Sequence, residues 1–120
     1  MDMEDMPWGA EELLMTSELE FGGDRGTLAL RKVAIDRDEM TAYHFHRRRN
    51  ELVYVENGLL EIRLDDDYAE VEEGGSFFIE AGETHQLQNI SGEVVELLEI
   101  GFPFDPEDVD MVEDPYEELR

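Results

Sequence analysis

Short apolar runs that stop at turn residues are the feature that most limits how this chain can fold. Residues 27–35 (TLALRKVAI), 51–56 (ELVYVE), 59–64 (LLEIRL), 76–79 (SFFI), 85–90 (HQLQNI) and 94–100 (VVELLEI) are rich in apolar and β-branched side chains. Gly22-Gly23, Asn57-Gly58, Asp65-Asp66-Asp67, Gly74-Gly75, Ala81-Gly82 and Ser91-Gly92 punctuate them with residues suited to tight turns. Many short strands at regular spacing specify an all-β sandwich or barrel, and 120 residues suffice for one domain (1–120) around one core. Asn57-Gly58 carries the strongest hairpin signal, because both residues accept positive φ in a two-residue turn. Residues 11–20 read as either helix or strand. The tail, residues 102–120, holds three of the four prolines and a crowd of acids. It is expected to wrap the barrel or cap its mouth, a disordered end being the alternative.

Charge removes whole classes of partner. With 33 acidic against 9 basic residues the formal charge is −24, which repels nucleic acid and anionic lipid, so neither is an expected partner. The amino terminus, MDMEDMPWGAEE, is acidic where a secretory leader would be basic and then apolar. No apolar stretch approaches the roughly 20 residues of a membrane span, so a soluble, cytoplasmic protein is expected. Eight of the nine basic residues are Arg, and Lys32 is the only Lys. At molar ionic strength the Debye length falls to about 3 Å and dense carboxylates cease to repel strongly, so this composition suits a halophile; an ordinary acidic protein is the alternative.

Without cysteine, any metal site must be built from imidazole and carboxylate. All three histidines fall in two strand-and-turn segments. His44-Phe45-His46 is followed after four residues by Glu51 and after six more by Gly58. Gly74 is followed after five residues by Glu80-Ala81-Gly82, after two more by His85 and after three more by Asn89. Period-two geometry puts His44 and His46 on one face of an extended segment, within reach of one ion. Three imidazoles and a carboxylate make a complete site for one divalent transition metal (Zn, Mn, Fe, Co or Ni) with positions left for water or substrate; the alternative is a polar pocket holding water.

These two segments, at 38–58 and 74–89, resemble the paired motifs of the cupins, small β-barrels of the jelly-roll type. The first motif there is glycine, five residues, HxH, three or four residues, glutamate, six residues, glycine. The second is glycine, five residues, PxG, two residues, histidine, three residues, asparagine. Asp38 replaces the first glycine and Glu80 the proline, which bears on local backbone shape rather than on ligation. The resemblance implies His44, His46, Glu51 and His85 as the metal ligands.

A narrower similarity runs nearly end to end, to the cupin domain of type II mannose-6-phosphate isomerases. It rests on Pro7-Trp8-Gly9, on Arg47 directly after the second histidine, and on the acidic tail closing in Asp114-Pro115-Tyr116. Four residues separate His46 from Glu51 where those isomerases typically have two, and LVYVEN replaces their aromatic-rich segment. This similarity implies a metal-dependent sugar-phosphate isomerase whose ligand is a small molecule, with Arg47 and Arg31 as phosphate anchors. The alternatives are an Fe(II) cupin dioxygenase and a non-catalytic metal- or sugar-binding module. No general base can be named: Tyr54, Gln86 and Gln88 alternate away from the ligands, Leu87 shares the face of His85, and Glu80 and Glu83 are expected in solvent. A homodimer is expected, with residues 11–21 the main contributors.

Overall fold

The computed structural model describes residues 3–117; Met1-Asp2 and the last three residues of the acidic tail lie outside that range. The chain forms β1 (Met3–Met6), β2 (Gly9–Phe21), β3 (Asp24–Ile35), β4 (Tyr43–Phe45), β5 (Asn50–Asn57), β6 (Leu59–Leu64), β7 (Asp67–Glu72), β8 (Ser76–Ile79), β9 (His85–Asn89), β10 (Val95–Phe102) and β11 (Asp110–Glu113). One antiparallel sheet runs β1-β2-β3-β10-β5-β8 and the other β11-β4-β9-β6-β7, so the all-β expectation is borne out. Among the described residues no helix is long and apolar enough to cross a membrane.

The side-chain alternation of three neighbouring strands sets the internal layout. The inward residues of β3 are Arg31, Val33 and Ile35, those of β5 are Glu51, Val53 and Val55, and those of β10 are Glu99, Leu97 and Val95. Each strand thus carries one charged residue at one end of the barrel and two apolar ones at the other. The apolar end closes over Ile35, Val55, Leu60, Val95 and Leu97, all fully buried. The charged end opens into a cavity of about 240 Å³. Trp8 of the Pro-Trp-Gly segment belongs to the core and also lines that cavity.

Residues 11–20 resolve as strand. Leu13, Leu14 and Met15 blur the period-two pattern because a bulge falls between Leu13 and Met15, which explains the ambiguity in the sequence. Asn57-Gly58 is not a hairpin. β5 and β6 lie in different sheets, and these residues form the corner between them. Gly58 has φ 97° there, and a Cβ at that position would stand 2.7 Å from Val95 Cγ2. Two-residue hairpin turns occur instead at Gly22-Gly23 and Asp65-Asp66, where all four residues have positive φ. The tail is ordered in part as β11, which pairs with β4.

The outer face of the larger sheet carries an apolar row in register. Met15 stands opposite Leu30, Leu30 opposite Ile100, Ile100 opposite Leu52, and Leu52 opposite Phe78, crossing five strands. Met15, Ile100, Leu52 and Phe78 are exposed, Phe78 to 54%.

Folding gathers 33 carboxylates around one small barrel, and at low ionic strength their repulsion subtracts from a marginal stability of about 5–15 kcal/mol. Thermal unfolding at constant metal occupancy is therefore expected to shift to higher temperature between dilute buffer and molar potassium chloride. A flat or falling Tm would contradict a charge-limited fold.

Candidate metal centre

Strand pairing assembles the histidines. His44 of β4 is the direct cross-strand partner of His85 at the start of β9, and His46 follows two residues after His44 on the same face. The ring centroids lie 4.4 Å apart for His44–His85, 5.0 Å for His44–His46 and 5.3 Å for His46–His85. One ligand atom from each ring lies within 4.8 Å of the others.

Backbone carbonyls orient all three rings. His44 Nδ1 is 2.7 Å from the Ala42 carbonyl, His46 Nδ1 2.6 Å from that of Asp108, and His85 Nδ1 3.0 Å from that of Glu83. A carbonyl can only accept, so each Nδ1 carries a proton and each Nε2 points to the centre, where a protonated ring donates to Glu51 and a neutral ring offers its lone pair to an ion. Glu51, at the start of β5, brings Oε1 to 3.2 Å from His46 Nε2 and 3.3 Å from His85 Nε2. Two atoms about 2.0–2.1 Å from one tetrahedral ion lie about 3.3 Å apart, which the two Glu51–imidazole distances match, while the three imidazoles together form a group able to hold a metal ion.

Burial pushes the His44 imidazole down to a pKa of about 3, helped by the charge on His85, so it is a neutral donor. For His85 burial acts downward too, but the Glu51 carboxylate outweighs it and the net shift is upward. Burial would raise Glu51, yet hydrogen bonds from His46 and His85 and the charges of His46 and Arg31 hold it well below the usual carboxylate range.

A second layer of charge surrounds Glu51. The Arg31 guanidinium reaches Glu51 Oε2 at 3.1 Å, Glu99 at 2.5 Å and Glu11 at 3.0 Å. Burial opposes its charge, but those three carboxylates raise its pKa. One guanidinium cannot neutralise three carboxylates. Glu99, itself buried, is pushed up to about 7 by burial and by repulsion from Glu51, with Arg31 acting in the other direction.

Of the two arginines singled out in the sequence, Arg31 lines the cavity and Arg47 does not. The Arg47 side chain is 72% exposed and pairs with Asp110 at 2.8 Å. Arg49 is the arginine that turns inward: 5% exposed, with Nη1 3.4 Å from His46 Nε2 and 3.7 Å from Glu51 Oε2. Nothing in the run Arg47-Arg48-Arg49 marks the third as the buried one. Glu99 did leave a signal, since it occupies the inward parity of VVELLEI at a position that alternation assigns to the core.

The tail completes the site. Besides the Asp108 carbonyl that holds His46, the Asp108 carboxylate accepts from the backbone N–H groups of Arg47, Arg48 and Arg49 at 2.8, 3.0 and 3.2 Å. Tyr116 lines the cavity, donates to the Glu39 carboxylate and accepts from the Met40 N–H at 3.3 Å. Both departures from the motif have local explanations. Asp38 has φ 64°, a conformation that Asp tolerates better than most residues, and the Glu80 N–H, which proline would lack, donates to the Glu83 carboxylate at 2.6 Å.

No curated protein sequence matches the chain significantly, but solved structures do share its fold. KdgF of Halomonas sp. superimposes with a TM-score of 0.72 at 18% identity, over 89% of this chain and 90% of that one. A sugar-phosphate-isomerase-like protein of Acidithiobacillus ferrooxidans gives 0.62 at 21% identity, over 80% and 64%. An oxalate decarboxylase of Lactobacillus farciminis, solved as a formate complex, gives 0.74 at 17% identity, over 92% of this chain and 33% of that one. Residues 32–101 match the Cupin_2 family, described as a cupin domain, and with more than half its length so matched the chain belongs to the cupins.

Proposed function

We propose that His44, His46, Glu51 and His85 hold one divalent transition ion, and that the chain isomerises a small sugar-type hydroxycarbonyl compound in the cavity. The observation that carries this reading is the convergence of three carbonyl-oriented imidazoles on the Glu51 carboxylate, at 3.2 and 3.3 Å from His46 and His85. An ion bound there would polarise a carbonyl and its neighbouring hydroxyl, acidifying the proton on the carbon between them.

The protein supplies the rest. Arg31 occupies Glu51 Oε2 and so keeps Oε1 turned to the histidines. Glu99 faces the cavity and holds or releases a proton near neutrality, which suits it to carry a proton between adjacent carbons. Trp8, Val33 and Leu87 give the cavity dry walls. A sugar phosphate, such as the mannose 6-phosphate of the narrower similarity, would have its phosphate at the rim by Arg47, because Arg31 is already shared among three carboxylates.

The apolar outer row supports a homodimer. Two chains of charge −24 repel each other wherever carboxylates meet, but the row from Met15 to Phe78 carries none. A second copy offers the same uncharged surface and leaves the acids at the rim. β2 contributes Met15, so the contact reaches into residues 11–21 without being confined to them.

Five outcomes are expected. Elemental analysis should find about one transition ion per chain. His46→Ala or His85→Ala should largely abolish binding, and Asp108→Ala, which unties the Arg47–Arg49 turn from the tail, should weaken affinity roughly tenfold or more. The loaded protein, incubated with small aldoses and ketoses in D2O, should exchange a carbon-bound proton, measured by NMR. Glu99→Gln should slow that exchange about a hundredfold; oxygen consumption by an iron-loaded chain would indicate a dioxygenase instead, and binding without exchange a binding module.

Glu99 also gives a pH signature. Its folded pKa lies above the unfolded value of about 4.3, so its contribution to stability is present below that value and is lost as pH rises toward about 7. The melting temperature of Glu99→Gln minus that of the parent should therefore grow from pH 4.5 to 7 and level off above. Light scattering at molar salt should report a dimer that Leu52→Glu with Phe78→Glu converts to monomer; a monomeric parent would refute the outer face as an interface.

A further inference from the structure

We infer that Arg49 is a carboxylate anchor beside the ion, and that the ligand of this site is a small hydroxy or oxo carboxylic acid. This inference rests on the metal-site reading above and narrows its ligand class. Among the described residues lining the cavity, Arg49 is the cation with a buried donor that has no partner, whereas Arg31 is shared among three carboxylates. The Arg49 guanidinium has five N–H donors. Nη2 donates to the Asp105 carbonyl at 3.0 Å, Nη1 faces His46 Nε2 at 3.4 Å, and Nε is buried with no partner among the described residues.

Competition for one lone pair decides what Arg49 does in the loaded protein. His46 Nδ1 keeps its proton on the Asp108 carbonyl, so Nε2 has a single lone pair to give. An ion that takes it leaves the Nη1 donor only Glu51 Oε2, 3.7 Å away and already held by Arg31. A buried guanidinium would then present unpaired donors within about 4 Å of a metal ligand, a costly arrangement that an anionic oxygen relieves.

The guanidinium is also held in place. It lies over the Phe104 ring with its central carbon 4.4 Å from the centroid, and Gly101, opposite Glu51 across the β5–β10 pair, makes the room for it. A Cβ at Gly101 would stand 3.1 Å from Arg49 Cδ. A planar, fixed fork matches a carboxylate better than a neutral hydroxyl. Because Nη1 is so near His46 Nε2, an anion on Arg49 lies one or two bonds from an oxygen that can reach the ion. A 2-hydroxy or 2-oxo acid has that spacing. Glu11, Glu51, Glu99 and Asp114 also face the cavity, which favours a monoanion over a dianionic phosphate, and about 240 Å³ favours a small one.

Cobalt(II)-substituted protein separates this inference from the one beneath it. A visible spectrum typical of imidazole-bound cobalt reports the metal site itself, and its absence would overturn both readings. With that spectrum in hand, glycolate, 1,2-ethanediol and inorganic phosphate are titrated against it. Glycolate is expected to bind at least tenfold more tightly than either of the others. A carboxylate is a better metal ligand than a diol with or without a guanidinium, so the decisive comparison is Arg49→Met at equal cobalt occupancy. There the glycolate preference over ethanediol should fall tenfold or more. Arg49→Lys, which keeps charge and bulk but loses the fork, should restore only part of it and serves if the Met variant does not fold. Phosphate binding more tightly than glycolate, or an undiminished preference in both variants, would overturn the assignment of Arg49.

Discussion

A carboxylate buried to 3% exposure between two sheets is the constraint from which the rest of the site follows. Glu51 could not remain ionised there alone, since removing an unpaired carboxylate from water costs several kcal/mol or more. Its two oxygens divide the work. Oε2 is held by Arg31, the cross-strand neighbour of Glu99, and Oε1 is left to the imidazoles. Arg31 is shared with Glu99 and Glu11, and burial together with repulsion from Glu51 outweighs it at Glu99, whose pKa rises to about 7 and gives the cavity a group that titrates near neutrality. One buried acid at the start of a strand thus fixes which end of the barrel is polar, which cation is committed to structure, and which acid is left able to exchange a proton.

What the sequence disclosed is what depends on neighbours a few residues apart. Alternation in VVELLEI and ELVYVE specified strands, and the HxH spacing put two imidazoles on one face. What it hid depends on choices made between distant segments. Asn57-Gly58 has the local chemistry of a hairpin, but whether the next strand returns to the same sheet is settled by the core around Val95, far along the chain. The inward turn of Arg49 is likewise invisible locally, because it is held by the Asp105 carbonyl and the Phe104 ring of the tail. Glu99 lay between these cases: alternation placed a carboxylate in the core, and only the fold supplied Arg31 as its partner.

The distribution of charge carries information that the total does not. A formal charge of −24 on this chain repels anionic surfaces, yet the outward row through Leu30, Ile100 and Leu52 is free of acid across neighbouring strands. Exposed apolar side chains on an outer sheet face invite association, and so acidic a chain has every opportunity to replace them with glutamate. Their concentration in one register contrasts with β7 on the other sheet, which is exposed and carries Asp67, Glu70 and Glu72, and with Glu56 and Glu96 beside the row, which are paired to Lys32.

The tail is the least barrel-like part of the chain and the most entangled with the site. His44 and His85 take their orienting carbonyls from residues two positions earlier in their own segments, whereas His46 takes its carbonyl from Asp108, sixty-two residues away. The same residue's carboxylate ties down the Arg47–Arg49 turn, and the tail's Phe104 and Asp105 hold the Arg49 guanidinium. Docking of the tail and orientation of His46 are therefore one equilibrium, and by linkage an ion that favours the oriented ring also favours the docked tail. His85 belongs to the barrel, and His44 sits on β4 between β9 and the tail strand β11, with Met111 as its cross-strand partner. His46 and Arg49 depend on the tail most directly, so the third imidazole and the cavity-facing guanidinium share a single support.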